Sequence, residues 1–404
     1  MVKYIIILLS IFGGQNLLAQ KIKTGVLVVG STPAALAAAI QSANSGVKTL
    51  LMDAGKLESI TFSEYDKFAD VGIYAGFLKH ADSLQKGVTK NNVHVFTPSF
   101  TASVFKAWTD TVKNLTVLRN ASIKKLKKSG RDWEIDLPGR EIKADLIIDG
   151  TSNNDIARLA GLSSKALSES SAVKSVYSDK KYRTSVGVLS KGGSAFASIP
   201  VSSLLAQGIE NLVLAGPVGG ISSLHSGQGA GTIAAYCVFF KTSTKNLNIR
   251  AIQSELLTYK SRLLKFEDIN ESDSSMVALQ HIGVTGILKV SEVNGRLYFN
   301  PDKTISTEDL KVPFREYYSR SQIWFLDNKA EKLNLETTLS LIKFVGSRAD
   351  ELDKEVNKSW NKSLKLKGDF DLKRVLTRRE IAILFDAYLQ PFSVAVDLEG
   401  NIKR

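Results

Sequence analysis

The residues best suited to chemistry in this chain are Gly30-Ser31-Thr32-Pro33-Ala34-Ala35, with Asp53 placed 23 residues beyond the glycine. Small residues let main-chain N–H groups at a helix N-terminus approach a pyrophosphate. A carboxylate at that distance accepts hydrogen bonds from adenosine ribose hydroxyls. Against the pattern G-x-G-x-x-G, Thr32 stands at the second glycine and Ala35 at the third. Other reactive side chains are few. The single Cys237 forbids an internal disulfide and any cysteine-held iron–sulfur cluster, and its apolar surroundings, Ala234–Phe239, read as a packed thiol. Histidines 80, 94, 225 and 281 have no metal-ligand spacing, so no metal is expected.

The elements that must position these residues are legible around them. Val26–Val29 reads as a buried strand, Ala34–Ser45 as a small-residue helix, and Leu50–Met52 as a second strand. That is the layout of a dinucleotide-binding βαβ unit; an ordinary βαβ unit that binds nothing has the same layout. Ala54–Asn92 shows no clean period. Phe100–Val112 reads as an amphipathic helix, followed by strands at Leu115–Arg119, Ile123–Lys127, Trp133–Leu137 and Ala144–Gly150, with a hairpin turn at Ser129–Arg131. Ser163–Ser198 looks like a reduced insertion. A strand at Asn211–Gly216, a glycine-rich loop and a helix at Gly229–Phe240 follow. Phe299–Pro313 reads as a loop-rich connection, Thr377–Leu389 as a helix, and Phe392–Ile402 as a short hairpin.

The 404 residues, 44% hydrophobic and 23% charged, suffice for two domains with sizeable cores. Met1–Ala19 has the layout of a cleaved secretory signal: Lys3, then apolar Tyr4–Phe12, then Leu17-Leu18-Ala19. Its apolar run is too short to span a bilayer. The expected location is therefore exported, periplasmic or secreted. Removing Lys3 takes the net charge from +13 to +12, in dispersed clusters that read as solvated faces, so nucleic acid is not an expected partner. A basic surface favours an acidic polysaccharide or an anionic envelope instead. A composition change near Lys245 divides residues 20–244 from a mostly helical 245–404.

Four blocks, in order, resemble the exported FAD-dependent oxidoreductases of bacterial polysaccharide-utilisation systems, a glutathione-reductase-like flavoprotein branch. They are Gly30–Ala35 with Asp53; Ala144–Gly161; Ile199–Gly216 running on through Ser222–Thr232; and Ile252–Pro391, with Phe266-Glu267-Asp268 and Leu376–Glu380. The resemblance implies a Rossmann-like α/β fold, three-layered with a mainly parallel sheet, and FAD as cofactor. It implies that Gly30, Ser31, Thr32, Pro33, Ala34 and Ala35 cap the pyrophosphate and that Asp53 takes the ribose. Ala54, Gly150, Thr151 and Gly216 would line the cofactor, and Gly227, Gln228 and Gly229 would open a helix aimed at the flavin ring. His225, before that helix, would be a proton donor or acceptor, or else a loop histidine satisfied by main-chain groups.

The chain departs from this family in several places. Ala54–Asp70 lacks a Gly-Gly-Met-type segment, an acidic turn has become Ser152-Asn153-Asn154-Asp155, and the substrate-covering domain is reduced. These losses bear on catalysis more than on the fold. The C-terminal part is also similar to S-layer homology repeats, with Phe266-x-Asp268, Phe299-x-Pro301-Asp302 and Ile305–Glu308 forming one repeat and Thr377–Ala382 a fragment. Two functions stand: hydride transfer between a small, sugar-like substrate and flavin, or a non-catalytic envelope, glycan-binding or scaffold protein.

Overall fold

The computed structural model describes residues 20–53, 71–85, 96–163, 179–190, 195–216 and 220–403. The signal-like Met1–Ala19 and the cofactor candidate Ala54 lie outside the described residues.

Val26, Leu27 and Val28 are wholly buried, as a strand covered on both faces requires. They belong to β1 (Gln20–Val29), which leads into α1 (Pro33–Asn44) and β2 (Thr49–Asp53). The unperiodic stretch after β2 contains α2 (Gly72–Gln85), packed through Phe77 onto Phe96 and onto Phe105 of α3 (Pro98–Thr109). Next come β3 (Leu115–Arg119), β4 (Lys125–Ser129), β5 (Asp132–Leu137), β6 (Arg140–Asp149) and the short α4 (Asp155–Leu159). The strand expected at Ile123–Lys127 thus sits two residues later, in register with the Ser129–Arg131 turn.

The reduced insertion carries regular structure in its described part. A 3-10 turn at Lys180–Thr184 leads into the antiparallel pair β7 (Ser185–Ser190) and β8 (Phe196–Pro200). Then follow β9 (Leu212–Leu214) and α5 (Gly220–Phe239). The main sheet runs β3-β2-β1-β6-β5-β4, with β9 also paired to β6. Pairs β2/β3, β1/β2, β1/β6 and β6/β9 are parallel, while β5 runs antiparallel to both β4 and β6.

The order in which strands are added reverses at β1, because β2 and β3 lie on one side and β6 on the other. In open parallel sheets that reversal opens a crevice at the carboxyl ends of the strands. One sheet face is covered by α1 and α5. On the other face, Leu27, Leu50, Ile147 and Leu212 pack with Trp133, Ile135 and Ile156.

α5 begins nine residues before the expected Gly229, so Gly227, Gln228 and Gly229 are interior positions. The reason is packing. A Cβ on Gly227 would overlap the Ala34 carbonyl, and one on Gly231 would come within 2.5 Å of the Ala38 carbonyl. Two glycines one turn apart therefore let α5 cross α1 at nearly backbone contact. Gln228 is also committed: its Nε2 donates to Gln41 Oε1 at 2.9 Å, and its Oε1 accepts from Ile73 N at 3.2 Å.

Beyond residue 245 lie α6 (Ile249–Thr258), α7 (Met276–Thr285), the hairpin β10 (Ser291–Val293) and β11 (Arg296–Tyr298), and five helices. These five are α8 (Thr307–Tyr317), α9 (Ser321–Asp327), α10 (Leu335–Gly346), α11 (Glu351–Ser359) and α12 (Arg378–Tyr388). The Phe299–Pro313 connection thus becomes helical at Thr307 and carries Pro313 inside α8. Phe392–Ile402 forms a 3-10 turn at Pro391–Ser393 and one antiparallel bridge, Val396 to Ile402.

Three equivalent turns organise this half. Ser306, Asn334 and Thr377 each cap a helix, and the residue before each, Ile305, Leu333 or Leu376, is buried. Main-chain bonds join the turns into a ring: Leu333 N to Ile305 O at 2.9 Å, Leu376 N to Leu333 O at 2.9 Å, and Arg378 N to Lys303 O at 2.8 Å. The sequence shows one complete unit and a fragment; the third, built on Asn334, is hidden by its divergent residues. A single core cluster runs from Val26 to Val396, continuous across residue 245. Among the described residues no helix is long and apolar enough to cross a membrane.

The helix crossing sets a sign for mutation. In an exposed helix, glycine to alanine gains about 1 kcal/mol. At Gly231 overpacking against main chain costs about 1–3 kcal/mol and wins. Denaturant unfolding of Gly231→Ala is expected to show a net loss. A stabilised variant would refute the close crossing.

Candidate functional site

The crevice at the strand ends brings together Gly30 from β1, Asp53 from β2, Arg119 from β3, Asp149 to Thr151 after β6, and Ala215-Gly216 after β9. Gly30 adopts φ +140°, and a side chain there would overlap the Gly150 carbonyl. The turn is thus closed against the neighbouring loop and tolerates only glycine. Thr32 explains the altered fingerprint: its hydroxyl donates to Gly150 O at 2.7 Å and accepts from Ala35 N at 3.1 Å, capping α1. Pro33 occupies the first helical position, where its missing N–H costs nothing.

Ala35 replaces the third glycine at the expense of its neighbour. A Cβ on Gly150 would lie 2.5 Å from Ala35 Cβ, so the space that Ala35 takes is vacated by Gly150. Close helix-to-strand packing is preserved with the glycine on the opposite side of the contact. Gly150 N donates to Val29 O at 2.8 Å, fixing the two loops to each other.

Asp53 ends β2, 8% exposed, with Arg119 Nη1 3.4 Å from its Oδ2. Arg119 lies directly opposite Asp53 in the parallel register, a partner that no motif in the sequence marks. The signal available was its place at the end of a strand adjacent to β2. Asp149 was likewise unmarked. It is fully buried and accepts from Thr151 and Ala157. Burial pushes its carboxyl above the usual range, against the pull of those hydrogen bonds.

The donor set fits the adenosine and pyrophosphate half of a dinucleotide. Main-chain amides of Ser31, Thr32 and Ala34 head α1, whose dipole favours an anion. Asp53 stands one strand away for a ribose diol. On the flavin side, Gly216 adopts φ +82° after β9, while Ala54 and residues 217–219 lie outside the described residues.

Gly227, Gln228 and Gly229 do not open a helix toward this crevice; they pack α5 on α1, α2 and β7. His225 lies within α5, 1% exposed, not in a loop before it. That enclosure withholds the access a proton shuttle needs, and it pushes the imidazole down to about 4. Cys237 is packed as its surroundings suggested, its thiol pushed up to about 12 by burial.

The histidine shift has a definite sign. Below pH 6.5 the unfolded chain takes up a proton that the folded imidazole refuses. Stability present in full above about pH 6.5 is therefore lost as pH falls toward 4, by about 3 kcal/mol. Chemical unfolding at pH 7 and pH 4 is expected to show the wild type losing about that much more than His225→Leu. Equal losses would refute the burial effect.

Residues 25–183 match a family model described as FAD dependent oxidoreductase. No curated protein matches the chain. A flavoprotein/dehydrogenase from Cytophaga hutchinsonii is 15% identical, covering 65% of this chain and 85% of its own, with a TM-score of 0.36. CabE, an aromatic hydroxylase from angucycline biosynthesis, is 19% identical over 35% of this chain and 33% of its own, at TM-score 0.27. The bacillithiol disulfide reductase of Staphylococcus aureus is 17% identical over 33% of this chain and 38% of its own, at TM-score 0.23. This chain therefore spans only about a third of the length of the latter two. The match to the FAD dependent oxidoreductase model covers residues 25–183, the Rossmann-like part of the chain that carries Gly30, Asp53 and Gly150.

Proposed function

We propose that this chain is an exported flavoprotein that moves hydride between a small, sugar-like substrate and FAD. The observation that carries the reading is the convergence of Gly30, Gly150 and Asp53 at the reversal point of a parallel sheet, inside the family-matched segment. A flavin held there supplies a two-electron acceptor and donor for the substrate. The chain's own residues bind and orient it: the head of α1 receives the phosphates, and Asp53, steadied by Arg119, accepts from the ribose. His225 is assigned to packing within α5 and not to proton transfer. Export rests on the layout of Met1–Ala19.

Titration of the full chain with FAD and with ADP, followed by flavin fluorescence and thermal unfolding, tests this. A ligand at about a hundred times its dissociation constant adds about 2.7 kcal/mol of stability. No binding of either ligand would end the reading. Asp53→Ala is expected to weaken both by about 1.5–3 kcal/mol, one charge-assisted contact. Unchanged affinity would remove the ribose assignment.

A second reading, contact with an envelope polysaccharide, is favoured by one feature of the C-terminal half. A groove of about 740 Å³ opens between α7 and α12, lined by Asp273, Asp302, Lys365, Lys367, Arg379 and Asp386. Carboxylates for hydroxyls alternate there with cations for acidic groups. Arg379 is held by Asp273 and by Ser275 Oγ at 3.1 Å. Retention on an acidic polysaccharide at low salt, reduced in the Lys365→Ala/Lys367→Ala double variant, is the expected result. Passage without retention would dismiss it.

A further inference from the structure

Asp149 is a carboxylate with no exposed surface at the very edge of the cofactor crevice. Its Oδ1 accepts from Thr151 N at 3.0 Å and from Thr151 Oγ1 at 2.7 Å, and its Oδ2 accepts from Ala157 N at 2.8 Å. Thr151 Oγ1 in turn accepts from Asp155 N at 2.7 Å. Asp149 and Thr151 together therefore take the Ala157 and Asp155 N–H groups at the start of α4 and fold residues 149–157 into a compact turn. The same turn presents Gly150, whose carbonyl holds the Thr32 hydroxyl, whose oxygen holds Ala35 N. An unbroken run of short contacts leads from a buried charge to the first turn of α1.

We propose that Asp149, acting with Thr151, is the positioning residue for the dinucleotide site: it sets Gly150, and through Gly150 and Thr32 it sets the phosphate-receiving end of α1. The proposal rests on the FAD reading above.

The physical case is one of opposing effects. A buried carboxylate is costly, and a neutral side chain would cap the strand more cheaply. Its negative charge also stands near the place where phosphates would bind, and Coulomb repulsion there opposes the ligand. What the charge contributes is stiffness, because hydrogen bonds to an ionised acceptor are about twice as strong as neutral ones. A positioning role and a purely electrostatic one therefore predict opposite signs. Removing the charge should tighten ligand binding if only Coulomb forces matter, and weaken it if geometry does.

ADP and FAD affinities of the full chain, measured well below the unfolding temperature, separate these outcomes. Asp149→Asn is expected to weaken both ligands at least tenfold, since its amide would face the Ala157 N–H with a donor. Thr151→Val, which keeps the carboxylate and the shape, is expected to weaken both similarly. Thr151→Ser, which restores the hydroxyl, is expected to bind within threefold of the wild type. Should Asp149→Asn fail to fold, the Thr151 pair carries the test. Tighter binding by Asp149→Asn, Thr151→Val binding within twofold of the wild type, or Thr151→Ser as weak as Thr151→Val would overturn the proposal. Wild-type protein that binds neither ligand would overturn the FAD reading, and this inference with it.

Discussion

Near-contact between the backbones of α1 and α5 is the constraint on which the rest of the molecule depends. Gly227 and Gly231 lie one turn apart on α5 and face Ala34 and Ala38, one turn apart on α1. Polar groups beside the crossing are satisfied only at this separation. Ser42 Oγ donates to Gly231 O at 3.1 Å, and Gln228 bridges Gln41 to the N-terminal end of α2. Leaving one such buried group unpaired costs about 1–3 kcal/mol. The crossing is therefore specified twice, by steric fit and by hydrogen bonding, and it fixes where the head of α1 stands over the sheet.

The altered fingerprint obeys the same logic of contacts rather than positions. A glycine at position 35 would normally let the helix approach the sheet; here Ala35 approaches because Gly150 has no side chain. A glycine at position 32 would leave an open turn; here Thr32 fills it and spends its hydroxyl on capping α1 and holding Gly150. The geometric requirement persists, distributed over two loops that are distant in sequence.

That distribution explains what was legible in the sequence. Gly30, Thr32 and Asp53 could be read because strand, turn and helix are local, and the run Val26–Val29 marks a doubly covered strand by itself. Gly227 and Gly229 could not be sorted, since a glycine cluster looks alike whether it meets a phosphate or another element; only their partners, Ala34 for Gly227 and Val186 for Gly229, decide. Asp149 was hidden for a related reason: its acceptors serve Thr151 and Ala157, a turn whose shape no periodicity reports. In the C-terminal half, the Asn334 turn went unseen because its value lies in a main-chain bond to Ile305 O.

The family-matched segment does not hold the crevice in shape by itself. Residues 25–183 contain Gly30, Asp53, Asp149 and Gly150, which are the chemically suggestive groups. They do not contain α5, the helix against which α1 is seated, nor β9, which completes the sheet beside β6. Residues 183–185, which lead into β7 beside α5, are in turn tied to the helical half: Gln253 Nε2 of α6 donates to Ser185 O at 2.9 Å, and Arg183 reaches Glu316 of α8 at 2.5 Å. The crevice is thus assembled from one part of the chain and held in shape by the remainder. The helical half therefore reaches the crevice through residues 183–185 and β7, which packs on α5.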